Sequence, residues 1–259
     1  MHLAGSTYEE VYNTFRWEIP SRFNIAEAVC SRHARATPDA PALIYEQADG
    51  NVRIWSFREV EETASRLANA LDHLGVKRGT IVGIHLPQCP ESLISHVAVQ
   101  KLGGIALPLF NLFGPDAIEY RLRDSGALVI ITTTGGWERV GSAIKSVETL
   151  SHVVCADGKS SGEYLGFWDL VERGSPNRAN ADTGPDDPAI LMYTSGTTGN
   201  PKGVLHAGRV LLGHLPGVSL PQDMFPQSGD RFWTPADWAW AGGLLDVLLP
   251  SLYHGMPVV

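Results

Sequence analysis

The sequence predicts an α/β fold, a mostly parallel sheet covered by helices, and three observations carry that prediction. Short β-branched runs alternate with longer segments at helical spacing, and glycine or proline punctuates most junctions between them. Of the 259 residues, 44% are hydrophobic and 19% charged, enough apolar material for one large domain or two smaller ones. Strands in such an alternation need crossover connections, which favour parallel pairing with both faces buried.

The elements follow in order. Ala42 to Glu46 has the composition of a short strand. Phe57 to Leu74 places Val60, Ala64, Leu67, Ala68 and Leu71 at helical spacing, and Gly75 closes that helix. Glu59, Glu61 and Glu62 fall on its solvated face and N-terminal turn, where the macrodipole favours carboxylates. Thr80 to Leu86 is a compact buried strand, Glu91 to Leu102 a helix and Ile105 to Leu109 another strand. Pro115 opens a helix to about Asp124, in a first turn where its missing N–H does no harm. Ala127 to Thr132 is a strand, Trp137 to Val147 a helix, Val153 to Ala156 a strand, and Ala189 to Tyr193 a strand that leads into a loop. Residues 158–188 are richer in Gly, Ser, Asp, Asn and Pro and are expected to form a long connection or boundary. Gly242 to Leu252 reads as an apolar helix, Gly255 and Pro257 as a turn, and Val258-Val259 as the start of a strand. The expectation is therefore a cut through a larger fold, with a natural terminal strand as the alternative.

Composition excludes several classes. Twenty Lys+Arg against 28 Asp+Glu leave a formal charge of −8, which argues against a phosphate-backbone binder, so no nucleic-acid partner is expected. Cys30, Cys89 and Cys155 are widely spaced, with no C-x-x-C pair for a metal or for disulfide exchange, as suits a reducing cytoplasm. Met1 to Arg16 carries Glu9 and Glu10 and no apolar core, unlike a signal peptide. The richest apolar stretch, Leu244 to Leu252, is broken by Asp246 and Pro250, so no membrane span is expected and a soluble, cytoplasmic protein is.

Residues Tyr193 to Val204 read Y-T-S-G-T-T-G-N-P-K-G-V. Four hydroxyls (Thr194, Ser195, Thr197, Thr198), three glycines (Gly196, Gly199, Gly203) and Lys202 crowd together directly after an apolar strand. Glycines let backbone N–H groups converge into an anion-binding nest, hydroxyls donate to phosphate oxygens, and lysine adds a mobile positive charge. The alternative is a Gly/Thr-rich surface turn. The run is not a Walker loop, because Pro201 stands in place of the second glycine and Gly203 in place of the Ser/Thr. Gly158-Lys159-Ser160 imitates the tail of that motif, but Val153 stands where its first glycine belongs, so a plain loop is expected there. His206 and His214, two helical turns apart and too far for joint metal ligation, read as ordinary helix or channel-lining residues. Asp186-Asp187 before Pro188 reads as a turn.

The loop closely resembles the phosphate loop of the acyl-adenylate-forming superfamily, which holds acyl-CoA synthetases, adenylation domains and luciferases. The resemblance extends over essentially the whole chain. Trp55-Ser56-Phe57-Arg58-Glu59-Val60 and the run Lys101-Leu102-Gly103-Gly104-Ile105-Ala106-Leu107-Pro108-Leu109 resemble its early motifs. Phe23-Asn24-Ile25-Ala26 and Leu112-Phe113-Gly114-Pro115-Asp116-Ala117-Ile118 are similar to the acetyl-CoA and medium-chain acyl-CoA synthetase branch. Ala236-Asp237-Trp238-Ala239-Trp240-Ala241-Gly242-Gly243 resembles a later motif, in which Trp240 matches an aromatic residue near the acyl and CoA channel. For Trp233 and Trp238 the competing reading is a ring that fills a core or an interface.

This resemblance implies the front half of the large N-terminal domain of an acyl-CoA synthetase-like fold, with residues 1–259 forming an incomplete domain and the small C-terminal domain absent. It implies an acid–CoA ligase of fatty acid metabolism that uses a small carboxylic acid, ATP with Mg2+, and CoA. Thr194, Ser195, Gly196, Thr197, Thr198, Gly199 and Lys202 would hold the ATP phosphates, and Trp240 would border the acyl/CoA channel. No residue of this chain is expected to be catalytic, the adenylation lysine lying downstream, and none to be a metal ligand. The isolated chain is expected to be inactive and to self-associate, or form a homo-oligomer, through apolar surface exposed at the cut. The alternatives are an adenylating enzyme that passes its acyl group to another acceptor, and a noncatalytic phosphate-binding or interaction module.

Overall fold

Residues 5–194 and 199–259 are described by the structure, a computed structural model. Helix α1 (Tyr8–Thr14) starts at a capping box in which the Thr7 hydroxyl accepts from Glu10 N and the Glu10 carboxylate accepts from Thr7 N. A π-helical turn (Glu27–Ser31) runs into α2 (Arg32–Ala36). Strands β1 (Pro41–Glu46) and β2 (Val52–Ser56) pair antiparallel with each other. The strand expected at Ala42 to Glu46 thus exists, but it belongs to a separate two-stranded hairpin rather than to the parallel sheet. β2 had no signal in the pattern because its outward residues Val52 and Ile54 are apolar yet exposed.

Helix α3 (Phe57–His73) opens on a second capping box, between Ser56 and Glu59, and buries Val60, Ala64, Leu67, Ala68 and Leu71 as expected. Glu61 is a correction. Its carboxylate accepts from Lys101 Nζ at 2.5 Å, and that fully buried ammonium also reaches Ser31 Oγ at 3.2 Å and Asn180 Oδ1 at 3.0 Å. Glu61 therefore anchors an interior polar network instead of facing solvent, a role set by a residue 40 positions away.

The remaining elements alternate as predicted: β3 (Ile81–Ile84), α4 (Pro90–Lys101), β4 (Ile105–Pro108), α5 (Pro115–Ser125), β5 (Val129–Thr132), α6 (Thr134–Ile144) and β6 (His152–Cys155). Gly126, left-handed at φ 70°, ends α5. The stretch 158–188 contains β7 (Leu165–Gly166) and α7 (Phe167–Arg173), and then returns beneath α4, where Ala181 N donates to Lys101 O at 2.8 Å. β8 (Pro188–Thr194) and β9 (Lys202–Ala207) follow, then α8 (Val210–Ser219). His206 therefore sits on a strand and only His214 on a helix, so they do not share a helical face. Helix α9 (Ala241–Gly243) passes through a π-helical turn (Leu244–Leu248) into α10 (Leu249–Tyr253). The chain then turns at Gly255, and Val258 forms parallel bridges to Leu43 and to Phe232.

Among the described residues seven strands form one sheet in the order β7-β6-β5-β3-β4-β8-β9, parallel throughout except for β9 against β8. Side chains alternate between its two faces: Val129 and Ile131 join the core containing α3 and α4, while Ile130 joins the core containing α5 and α6. Both faces are thereby covered, as parallel pairing requires.

Candidate functional site

The candidate site is the hairpin between β8 and β9. β8 enters it from the buried side of the sheet, with Ala189, Ile190, Leu191 and Met192 all buried, and emerges at Thr194. In the antiparallel register Thr194 faces Lys202 and Tyr193 faces Gly203, so the two ends of the hydroxyl- and glycine-rich run are held together by strand pairing. Gly199 takes φ 97°, a left-handed conformation that costs glycine nothing, and a Cβ there would meet no atom within 4 Å. Ser195, Gly196, Thr197 and Thr198 lie outside the described residues. Lys202 is exposed, and its ammonium has no hydrogen bond or ion pair among the described residues.

Helix α5 holds the base of the hairpin. Tyr120 Oη donates to Pro201 O at 3.0 Å, and Tyr193 Oη donates to Asp124 Oδ2 at 2.6 Å. Burial and then the bond to Asp124 push the Tyr193 phenol well above its ordinary value, so it stays a donor. Between these residues the buried Arg121 guanidinium lies 4.2 Å over the Phe113 ring and 5.6 Å from that of Tyr193. A desolvated cation over a ring is worth about 2 kcal/mol.

Trp240 is reached through the same contacts. Its ring is edge-on to Phe113 at 6.0 Å and tilted against Phe110 at 5.4 Å, and it remains 44% exposed. A continuous path therefore runs from Trp240 through Phe113 and Arg121 to Tyr193, the residue before the hydroxyl- and glycine-rich run. Trp240 is oriented as the N-cap residue of α9, with its N–H on Asp237 O at 3.0 Å. Asp237 in turn accepts from Ala239 N at 2.8 Å, and burial raises its carboxyl above the usual range. Trp238 is buried and fills core, whereas Trp233 is 63% exposed.

Sequence reasoning did not assign Phe110, Tyr120, Arg121 or Asp124 to the site. Tyr120 and Asp124 are one helical turn apart, but nothing in linear order reveals that an arginine between them is buried among rings. Gly158-Lys159-Ser160 is irregular backbone, with Ser160 N donating to Asp169 Oδ2 at 2.7 Å. Asp186 and Asp187 form a turn tied by ion pairs to Arg209 and Arg78. Among the described residues no group of three or more His, Cys, Asp or Glu converges as a metal-holding set, and no helix is long and apolar enough to cross a membrane.

A sequence model of the AMP-binding enzyme family matches residues 30–259. The acetyl-coenzyme A synthetase of Salmonella typhimurium is 31% identical over 91% of this chain and 40% of its own length. Acetyl-coenzyme A synthetase 2 of Candida glabrata is 32% identical over 94% of this chain and 38% of its own. The chain thus spans about two fifths of the length of these relatives. Among solved structures, an anthranilate CoA ligase in complex with anthranoyl-AMP superposes with a TM-score of 0.83 at 28% identity, covering 93% of this chain and 45% of that one. An acyl-CoA synthetase of Brucella canis superposes with a TM-score of 0.85 at 26% identity, covering 97% and 47%.

Proposed function

This chain belongs to the AMP-binding enzyme family, and from that premise we propose that it is part of an acid–CoA ligase and supplies the grip on the ATP phosphates. In the first step a carboxylate oxygen attacks the α-phosphorus of ATP, the bond to the bridging oxygen breaks, and pyrophosphate leaves. In the second, the CoA thiol attacks the acyl carbon, AMP departs with the carbon–oxygen electron pair, and the thiol proton passes to solvent. The observation that carries the reading is the hydroxyl- and glycine-rich run closed by the Thr194–Lys202 pairing, with the Lys202 side chain exposed at its edge.

Charge accumulates on the departing pyrophosphate, and donors positioned beforehand stabilise that charge without reorganising. Thr194, Ser195, Gly196, Thr197, Thr198 and Gly199 would supply hydroxyl and backbone donors, and Lys202 the positive charge. Trp240, backed by Phe110 and Phe113, would form one wall of the acyl/CoA passage. Magnesium would enter with ATP and neutralise its phosphates, with no ligand from this chain assigned. The groups that hold adenine and ribose, and the adenylation lysine, would come from the part of the relatives that this chain does not span, so the chain alone would be inactive. A soluble, cytoplasmic setting is part of the same proposal. CoA is favoured over a carrier as the final acceptor because the relatives above are named as CoA ligases and CoA synthetases.

The test is acid-dependent pyrophosphate release from ATP by the full-length protein, across a panel of carboxylic acids. The proposal expects release with at least one acid and a matching CoA thioester product. Absence of release with every acid would overturn it.

A further inference from the structure

The stretch 233–240, which ends in Trp240, is irregular backbone, so its carbonyls have no ladder of their own to pair with. Two of them meet one side chain. Gln88 Nε2 donates to Thr234 O at 3.3 Å and to Ala236 O at 3.1 Å, across 146 and 148 positions of sequence. An amide nitrogen carries two N–H groups and an amide oxygen none, so facing two carbonyl oxygens fixes which way the Gln88 amide points. Pro235 sits between the two acceptors, and the Thr234 hydroxyl accepts from Ala236 N at 3.0 Å. The turn around the proline is thus closed from within and clamped from outside.

The clamp has a firm mount. β3 is the middle strand of the sheet, and Gln88 follows it in the run Leu86-Pro87-Gln88-Cys89-Pro90, where Leu86 and Cys89 are buried and the two prolines fix φ. Ala236 O is confined from a second direction, because a Cβ on Gly243 would stand 2.6 Å from it and 2.4 Å from Asp237 O. Asp237 O is in turn the acceptor for Trp240 N at 3.0 Å. A short chain of contacts therefore leads from the Gln88 amide through Ala236 and Asp237 to Trp240, whose ring leans on Phe110 and Phe113 of the loop after β4. We propose that Gln88 is a positioning residue: its amide sets the 234–240 turn from the carboxyl end of β3, and through that turn it sets where the Trp240 indole stands along the acyl/CoA passage. The inference rests on the ligase reading and on Trp240 as the border of that passage. Neutral hydrogen bonds from a half-buried side chain add little to global stability, whereas a small displacement of a group that borders substrate has a large kinetic effect. The ATP phosphates, gripped at the β8–β9 hairpin, do not depend on this clamp.

The experiment measures KM for ATP, acid and CoA in the full-length protein, from pyrophosphate release and thioester formation with the acid it activates fastest. Gln88→Leu removes both donors. It should raise KM for the acid and for CoA by on the order of 10-fold, while KM for ATP stays within about twofold of wild type. Gln88→Asn keeps the amide but draws it back by one methylene, out of reach of both carbonyls, and should show the same split; it carries the test should the leucine variant fail to fold. In a Trp240→Ala background, with no ring left to position, Gln88→Asn should add less than about twofold. Melting curves accompany each variant. KM values that rise together for all three substrates, KM values that do not change, or an effect undiminished in the Trp240→Ala background would overturn the inference and leave the ligase reading standing. No release by wild type with any acid would overturn both.

Discussion

Acid should destabilise this chain by charging two histidines that the fold keeps neutral. His96, inside α4, is buried on every side, and burial holds its imidazole at about 4 against an ordinary 6.5. His85, just after β3, has Nδ1 2.9 Å from Thr132 Oγ1 and is also held at about 4, by burial first and by the charge of Arg139 second. In the unfolded chain both take up protons near pH 6.5, whereas the native state does so only near pH 4. Between those values the unfolded state binds more protons, so stability is complete above pH 6.5 and falls as the pH drops toward 4. The difference amounts to ~3 kcal/mol for each histidine, a large share of the ~5–15 kcal/mol by which domains are stable. Urea unfolding followed by circular dichroism at pH 7.5, 6.5, 5.5 and 4.5 measures the slope. His96→Met, an apolar replacement in an apolar surround, should be nearly neutral at pH 7.5 and remove roughly a third of the slope, since His254 is also held at about 4 by burial. A stability that is flat between pH 6.5 and 4.5, or a slope unchanged by His96→Met, would refute the reasoning.

Three further predictions come from the packing. Lys101→Met leaves the Glu61 carboxylate without its buried partner and should cost roughly 3–5 kcal/mol, read as a lowered Tm; an unchanged Tm would show that the network contributes nothing. Gly243→Ala places a Cβ 2.4 Å from Asp237 O and 2.6 Å from Ala236 O, so it should destabilise by about 1–3 kcal/mol or more and displace the turn that holds Trp240; a wild-type melt would contradict that. The purified chain should self-associate through the edge of β9 that is unpaired among the described residues, where Val204 and Leu205 are exposed, and through Tyr8, Tyr12 and Trp17, which border a hollow of about 660 Å³ against α8. Light scattering that shows a stable monomer at high concentration would count against it.

The local signals in the sequence survive folding where they report local physics. Pro115 and Gly126 bound α5 because one residue fixes a helical φ and the other accepts a left-handed one. The spacing of Val60 to Leu71 marks the buried face of α3 because a helix must bury one stripe. What stayed hidden depends on partners far away in sequence. Glu61 carries the same helical position as a solvated carboxylate and is distinguished only by Lys101. Arg121 looks like any surface arginine of a helix and is distinguished only by Phe113 and Tyr193. β1 has a core strand's composition yet lies in a hairpin outside the main sheet, paired with β2 on one edge and bridged by Val258 on the other. The hydroxyl- and glycine-rich run was legible as a composition, and what the fold adds is the pairing of its ends and the aromatic path to Trp240.

The most direct test of the account is Lys202→Ala in the full-length protein, assayed for pyrophosphate release with its best acid alongside a melting curve. Lys202 is exposed at a strand end, so folding should be untouched, while release should fall by on the order of 10²–10³, as when one transition-state donor is removed elsewhere. Full activity in a normally folded variant would contradict the claim that this hairpin stabilises the leaving pyrophosphate.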